Sequence, residues 1–130
     1  MLPKQQYLAL SNFRSDLARF LRFSERASRE AGITPTQYLL LLHVRGFPGR
    51  EWGTVGELAG RLQASSHGTV ALINRCVSAG LVNKRRRDGD GRQVEVHLTS
   101  LGTRLLERVA MRHHDELQSL RDVFRVAHVS

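Results

Sequence analysis

Apolar residues recur at intervals of three and four over the first part of the chain, which is the spacing of one face of a helix. No glycine or proline interrupts residues 7–31, and Gly32 follows them. We therefore predict a first helix over 7–31. Its apolar stripe contains Leu10, Phe13, Leu17 and Phe20.

A second helix begins at a strong start signal. Thr34 is placed to cap it, Pro35 suits its first position, and Gln37 lies three residues after the cap. This helix is predicted over 35–45, and the apolar run 38–42 covers most of its faces. We expect it to lie buried in the middle of the domain.

Two short helices follow, joined by a tight turn. Thr54 caps the third helix, with Glu57 at the spacing of a capping box. The fourth helix is capped by Ser65 or Ser66 and runs to Ala79. Because so little chain separates them, the two helices must cross steeply, in a helix-turn-helix arrangement.

The period of the pattern changes to two after Leu81, where two alternating segments flank a Gly/Asp turn at 88–91. This pattern is typical of a β-hairpin. A short strand around Trp52 is placed to pair with it. The alternating positions are Val82, Lys84, Arg86, Val94, Val96 and Leu98.

A last helix, capped by Thr99 or Ser100, is predicted over 100–127, again with an apolar stripe. A long amphipathic helix that projects from a small domain has nothing of its own to bury against, so self-association is predicted. The predicted dimerisation residues are Leu10, Phe13, Leu17, Phe20, Val109, His113, Leu117, Leu120 and Phe124.

The expected architecture is a single α+β domain over 1–130, mainly α with a small β-hairpin. A winged helix-turn-helix at 34–99 lies between dimerisation helices at 7–31 and 100–127.

The chain carries 20 Lys and Arg against 12 Asp and Glu, a formal net charge of +8. Such an excess favours a polyanionic partner, either nucleic acid or an anionic membrane surface, although it also serves solubility alone. No apolar run approaches the roughly 20 residues of a membrane span, and the N terminus has no signal-peptide core. We therefore expect a cytoplasmic protein with no membrane partner.

Residues of the types that catalyse reactions or bind metals form no recognisable catalytic or metal-binding pattern. The six histidines lack the spacing of a metal site, and His113 falls on an apolar stripe, where a core or interface residue is favoured. The one cysteine, Cys76, excludes an intramolecular disulfide, and its place on the core side of the fourth helix favours a buried thiol over a peroxide sensor. We predict no enzyme, no cofactor and no metal.

The order of these elements, with three sequence segments, resembles the MarR family of bacterial and archaeal transcriptional regulators, which are dimeric winged-helix proteins. The segments are Leu58-Ala59 with Leu62, then Val70-x-Leu72-Ile73-x-Arg75 with Gly80-Leu81-Val82, and Asp90-Gly91-Arg92 with Val94-x-Val96-x-Leu98-Thr99-x-x-Gly102. The last is the most specific signature. The family commonly has a further helix after the long one, whereas little chain remains here beyond Leu117. We therefore expect a thinner dimer interface, or one built mainly from the first helix.

The resemblance implies that the fourth helix enters the major groove of double-stranded DNA while the hairpin reaches the adjacent minor groove. Arg92 matches the arginine that inserts there, and Asp90 matches the acidic residue that orients it. A narrow minor groove concentrates negative potential, which suits a guanidinium already held by a carboxylate. The basic residues expected beside the phosphate backbone are Lys84, Arg85, Arg86 and Arg87.

We expect bases to be read by His67, Asn74 and Arg75, because Asn and Arg side chains match the edges of adenine and guanine. For Arg75, an ion pair inside the domain is an equal alternative. The residues expected on phosphates are Ser65, Ser66 and Thr69. Helical spacing also allows Thr69 or Val70 to face the core.

The expected function is sequence-specific binding of a homodimer to a palindromic operator. The resemblance implies a repressor that a small aromatic or phenolic effector releases from DNA, and the residues considered for its cleft are Arg14, Arg19, Tyr38 and Trp52. Two alternatives stay open. One is a winged-helix module that binds protein, and the other is an architectural protein that binds DNA without sequence preference or effector.

Overall fold

The computed structural model describes residues 1–87 and 90–119, with side chains over 1–86 and 93–114. Within these residues it contains five helices and three strands. The elements are α1 (Lys4–Glu30), α2 (Pro35–Arg45), β1 (Trp52–Thr54), α3 (Val55–Leu62), α4 (Ser66–Ser78), β2 (Val82–Arg87), β3 (Asp90–Leu98) and α5 (Ser100–Ser119). This confirms the mainly helical fold with a small sheet, and the rest of the helix predicted to 127 lies outside the described residues.

Local sequence signals account for the helix ends. Thr34 and Gln37 form both hydrogen bonds of a capping box at the start of α2, and Thr54 and Glu57 do so at the start of α3. Gly32 follows α1 with a φ of 86°, a left-handed conformation that glycine adopts without strain. These signals act within a few residues, which is why the sequence predicts them well.

The three strands form one antiparallel sheet in the order β1-β3-β2. Trp52 of β1 pairs with His97 of β3, and Val82 of β2 pairs with Leu98. The strand predicted around Trp52 is therefore confirmed as the third member of the sheet.

The second helix, α2, is the centre of the core. Leu40, Leu41 and Val44 are fully buried, and α2 packs against the other helices and β3. The predicted burial of this helix is confirmed. Other buried apolar side chains are Ala27, Leu58, Leu72, Ile73, Cys76, Leu81, Val96 and Leu106.

The last helix, α5, buries the described part of its apolar stripe, up to His113, within its own chain. Val109 is 0% exposed and His113 is 4% exposed. The His113 ring stacks on Tyr38 with 5.0 Å between ring centroids, and it meets Phe20 and Phe23 edge to face. The prediction that Val109 and His113 are dimerisation residues is therefore wrong, because α1 and α2 of the same chain already cover this stripe.

The two ring nitrogens of His113 have different surroundings. Nδ1 lies 2.7 Å from the carbonyl oxygen of Val109, which can only accept, so Nδ1 carries the proton. Nε2 is buried and has no hydrogen-bond partner among the described residues. The imidazole therefore serves the core mainly as an aromatic ring.

The first helix, α1, leaves much of its apolar surface exposed. It packs mainly against α2 and α5, and Leu10 is 47% exposed while Leu21 is 51% exposed. Phe13, Leu17 and Phe20 are half-buried. Among the other predicted dimerisation residues, the side chain of Leu117 and the residues Leu120 and Phe124 lie outside the described residues.

Candidate nucleic-acid interface

The fourth helix, α4, has a buried face and an exposed polar face. Its buried side chains are Thr69, Leu72, Ile73 and Cys76. Its exposed side chains include Ser66, His67, Ala71, Asn74 and Arg75. Except for Thr69, the residues predicted to face a groove from α4 therefore lie together on the exposed side.

Thr69 does not belong to that exposed face, so its predicted phosphate contact is wrong. Its side chain is 1% exposed, and its hydroxyl donates to the carbonyl oxygen of Ser65 over 2.8 Å. Serine and threonine in helices can satisfy their hydroxyl on the carbonyl one turn earlier, which allows a polar residue to face the core.

The N terminus of α4 suits an anion. The hydroxyl of Ser65 accepts a hydrogen bond from the Gly68 backbone over 3.0 Å, and the first turn contains no acidic residue. The positive end of the helix dipole therefore lies beside the exposed Ser66 and His67 without a neutralising charge in that turn.

Arg75 is exposed, and no carboxylate among the described residues forms a salt bridge with it. The ion pair inside the domain that we considered for it is therefore absent from the described part of the chain. Like Asn74 beside it, Arg75 is available to a hydrogen-bond acceptor outside the protein.

The basic residues of the hairpin lie on two faces. Because side chains alternate along a strand, Lys84 and Arg86 share the face of the buried Val82, whereas Arg85 lies on the opposite face. Lys84 borders an apolar cavity of about 180 Å³ between α4 and the sheet. Arg85 borders a separate cavity of about 260 Å³ on the other side of the sheet, next to Trp52.

The tip of the hairpin carries the predicted minor-groove contact. The side chains of Arg87, Asp90 and Arg92 lie outside the described residues, although the backbone of β2 and β3 passes through these positions. Insertion of Arg92 with orientation by Asp90 therefore stays a prediction.

A cluster around Arg50, which the sequence pattern did not reveal, fixes the loop before β1. The guanidinium carbon lies 3.8 Å from the centre of the Trp52 ring and 4.4 Å from that of Phe47. Arg50 also pairs with Glu57 in the α3 capping box. Burial acts to raise the pKa of Glu57, but hydrogen bonds from Thr54 and the charge of Arg50 outweigh it, so this pKa lies below its ordinary value.

The residues considered for an effector cleft are not brought together. Tyr38 is buried against His113, whereas Trp52 lies on the sheet and stacks against His97. These two aromatic residues therefore have separate surroundings. The two arginines, both exposed on α1, are Arg14 and Arg19.

Cys76 has the surroundings of a core residue. Burial raises the pKa of its thiol to about 11, against a smaller lowering effect of the Arg75 charge. The thiol is therefore protonated at neutral pH and is a poor nucleophile. Among the described side chains, at 1–86 and 93–114, no three form a cluster able to hold a metal ion. None of the described helices is long and apolar enough to span a bilayer.

Comparison with known sequences finds similarity to one family. The sequence profile of the MarR family matches residues 31–93, from the end of α1 into β3. The uncharacterized HTH-type transcriptional regulator YsmB of Bacillus subtilis (strain 168) is 28% identical in an alignment of 98 residues that covers 71% of this chain and 61% of YsmB. The chain therefore spans about three fifths of the length of that curated relative.

Solved structures share the fold. AbsC, a MarR family transcriptional regulator from Streptomyces coelicolor, is 22% identical with a TM-score of 0.75, over 95% of this chain and 81% of AbsC. A mutant MarR from E. coli, solved in complex with operator DNA, is 23% identical with a TM-score of 0.65, over 75% of this chain and 68% of that one. The profile match across the helix-turn-helix and this shared winged-helix fold make the chain similar to the MarR family.

Proposed function

We propose that this protein is a sequence-specific DNA-binding transcriptional regulator. The observation that carries the proposal is the exposed polar face of α4, which lies between a helix N terminus without acidic residues and a hairpin of exposed basic residues. A mutant MarR with the same fold was solved with operator DNA, which supports the same use of the fold here.

In the proposed complex, α4 lies in the major groove. Asn74 and Arg75 contact adenine and guanine edges, and each such contact contributes about 1–3 kcal/mol of discrimination against the wrong base. His67 in the first turn supplies a further base contact. Ser65 and Ser66 lie where the helix dipole favours a phosphate.

The hairpin supplies the remaining contacts in this proposal. Its basic residues, among them Lys84 and Arg86 on the face toward α4, approach the phosphate backbone and add affinity that does not depend on sequence. Arg92, oriented by Asp90, enters the minor groove. The net charge of +8 agrees with a polyanionic partner.

We further propose a homodimer that represses transcription in the cytoplasm. The exposed apolar residues of α1, including Leu10 and Leu21, form a surface that a second copy of the chain covers. Two symmetric copies present two α4 helices, so the operator is palindromic.

A small aromatic or phenolic acid is the effector that best fits this proposal. The cavity of about 180 Å³ between α4 and the sheet is lined by apolar side chains and one cation, Lys84. An acid held there separates the hairpin from α4. Because the ligand binds this separated conformation better, it shifts the population of protein molecules away from the conformation that binds DNA. The lining residues are Val55, Val70, Ile73, Lys84, Val94 and Val96.

The proposed function is tested by gel-shift titration on the DNA upstream of the protein's own coding region and on random DNA of equal length. We expect the wild type to bind the upstream DNA about 10³-fold or more tightly. Replacing Asn74 or Arg75 with alanine should weaken specific binding by about 1–3 kcal/mol. Arg26→Ala is the matched control, because Arg26 is exposed on α1, away from α4.

The same titration separates the alternative functions. Equal affinity for both DNA samples would favour an architectural protein, and absence of binding at low salt would favour a module that binds protein. Arg92→Ala should weaken binding while leaving the folded state intact. The logarithm of affinity should fall with the logarithm of salt concentration by about 0.9 for each phosphate contact.

A further inference from the structure

The end of α4 and the start of α5 meet directly, although the hairpin separates them along the chain. α4 ends with hydrogen bonds from the Gly80 backbone to Val77 over 3.0 Å and from the Leu81 backbone to Cys76 over 2.9 Å. Gly80 has a φ of 76°, so its glycine is needed for this ending. The two carbonyl groups at this end, those of Gly80 and Leu81, both point to Thr99 at the start of α5.

Thr99 makes two hydrogen bonds across this contact and one within the start of α5. Its hydroxyl donates to the carbonyl oxygen of Gly80 over 2.6 Å and accepts from the Gly102 backbone over 3.0 Å. Its backbone N–H donates to the carbonyl oxygen of Leu81 over 3.0 Å. A hydroxyl has one proton and free lone pairs, so it performs both roles at once. Thr99 thus caps α5 and holds the end of α4 with the same side chain.

Gly102 allows the two elements to touch. A Cβ atom at this position would lie 2.1 Å from the carbonyl oxygen of Leu81 and 3.0 Å from its carbonyl carbon. Both are backbone atoms, so no side-chain rotation could relieve the clash. The first turn of α5 therefore packs on the backbone that leaves α4, at a distance that only glycine permits.

We propose that Thr99 and Gly102 are positioning residues that fix the orientation of α4 relative to α5 and thereby set the spacing of the two DNA half-sites. The four residues Gly80, Leu81, Thr99 and Gly102 form this α4–α5 joint. The inference rests on the proposed function, since it requires two copies of α4 on one operator. α5 packs on α1 and α2, so the joint connects the DNA-reading helix to α1, which carries the proposed dimer surface. If the joint is rigid, the orientation of α1 and α5 fixes the orientation of α4. If it is loose, α4 can take several orientations.

The test is selection of binding sites from a random duplex library by the wild type, Thr99→Val and Thr99→Ser. The wild type should select two half-sites at one spacing. Thr99→Val removes the hydroxyl at nearly constant volume, so it should select the same half-site sequence at several spacings. Thr99→Ser keeps the hydroxyl and should restore the single spacing. Inserting one base pair between the half-sites should weaken wild-type binding about tenfold or more, and Thr99→Val binding clearly less.

Distinct results would overturn the joint and the proposed function. If Thr99→Val selects the same single spacing as the wild type, the role of the joint is overturned but the proposed function is not. The same holds if Thr99→Val loses the half-site sequence together with the spacing. Single half-sites selected by the wild type would overturn the homodimer and the spacing role with it.

Hydrogen exchange of the wild type keeps the joint testable if Thr99→Val does not fold. The amides of Leu81, Thr99 and Gly102 should exchange as slowly as those in the middle of α4. Exchange of the Thr99 and Gly102 amides at the rate of exposed loop amides would contradict a rigid joint.

Discussion

The two longest helices carry the same kind of apolar stripe, yet only α5 buries the part of its stripe that the structure describes. In α5, Val109 and His113 are enclosed by α1 and α2, whereas in α1 Leu10 and Leu21 remain about half exposed. Helical periodicity therefore identifies an apolar face but not the partner that covers it. We predicted dimerisation residues on both helices. Those of α5 with described side chains, Val109 and His113, are buried, whereas Leu10 of α1 is exposed.

The strongest test of this contrast removes buried volume from α5. Leu106→Ala should lower the free energy of unfolding by about 2–5 kcal/mol, because Leu106 is 4% exposed and the truncation leaves a cavity. Urea denaturation measures the loss. The control is Leu101→Ala on the exposed side of the same helix, which should cost much less. Equal losses for the two variants would mean that α5 does not bury its stripe within the chain.

The second test places a charge on the exposed stripe of α1. Leu10→Glu should weaken self-association by about tenfold or more, because a buried, unpaired carboxylate is costly at an interface. Sedimentation equilibrium gives the dissociation constant. Ser11→Glu adds the same charge at an exposed neighbouring position and should change it less. If Leu10→Glu associates as strongly as the wild type, the part of α1 around Leu10 does not belong to the dimer interface.

The third test asks whether His113 is a core residue. Phenylalanine keeps an aromatic ring against Tyr38 and removes the buried Nε2, which lacks a partner among the described residues. Since an unsatisfied buried nitrogen costs more than an average hydrogen bond contributes, His113→Phe should stabilise the fold by about 1 kcal/mol. Thermal unfolding measures this change. A loss of stability would show that the Nδ1 hydrogen bond to Val109 matters more.

The smallest expected effect concerns the ion pair between the two helices. Arg112 of α5 pairs with Glu30 of α1, and both side chains are partly exposed. Glu30→Gln should cost about 0.2–1 kcal/mol at low salt and less at high salt, because solvent and ions screen such pairs. Glu25→Gln, on the same helix, is the control. A loss that does not diminish with salt would argue against an electrostatic role.

Much of the fold could be predicted because its signals are local. The capping residues Thr34 and Thr54, and the glycine at Gly32, act within one turn of the helix that they start or end. The change of period after Leu81 predicts the hairpin for the same reason. On α4, helical spacing separates the exposed Asn74 from the buried Cys76.

The errors and omissions depend on contacts between distant parts of the chain, or on a choice of partner. Thr69 is polar but satisfies its hydroxyl on its own helix, so residue type alone misplaced it. His113 reads as part of an open stripe until α1 and α2 fold against it. The Arg50 cluster and the hydrogen bond from Thr99 to Gly80 join residues whose proximity no periodicity shows.

We propose that two copies of this chain, joined through α1, place two α4 helices on one DNA duplex. Light scattering of the protein mixed with a duplex from the site selection measures this directly. We expect two chains per duplex for the wild type. An Asn74→Ala, Arg75→Ala double variant should stay a dimer and leave the duplex free. One chain per duplex would contradict a dimer on the DNA. A double variant that binds as the wild type does would contradict the contact of α4 with DNA.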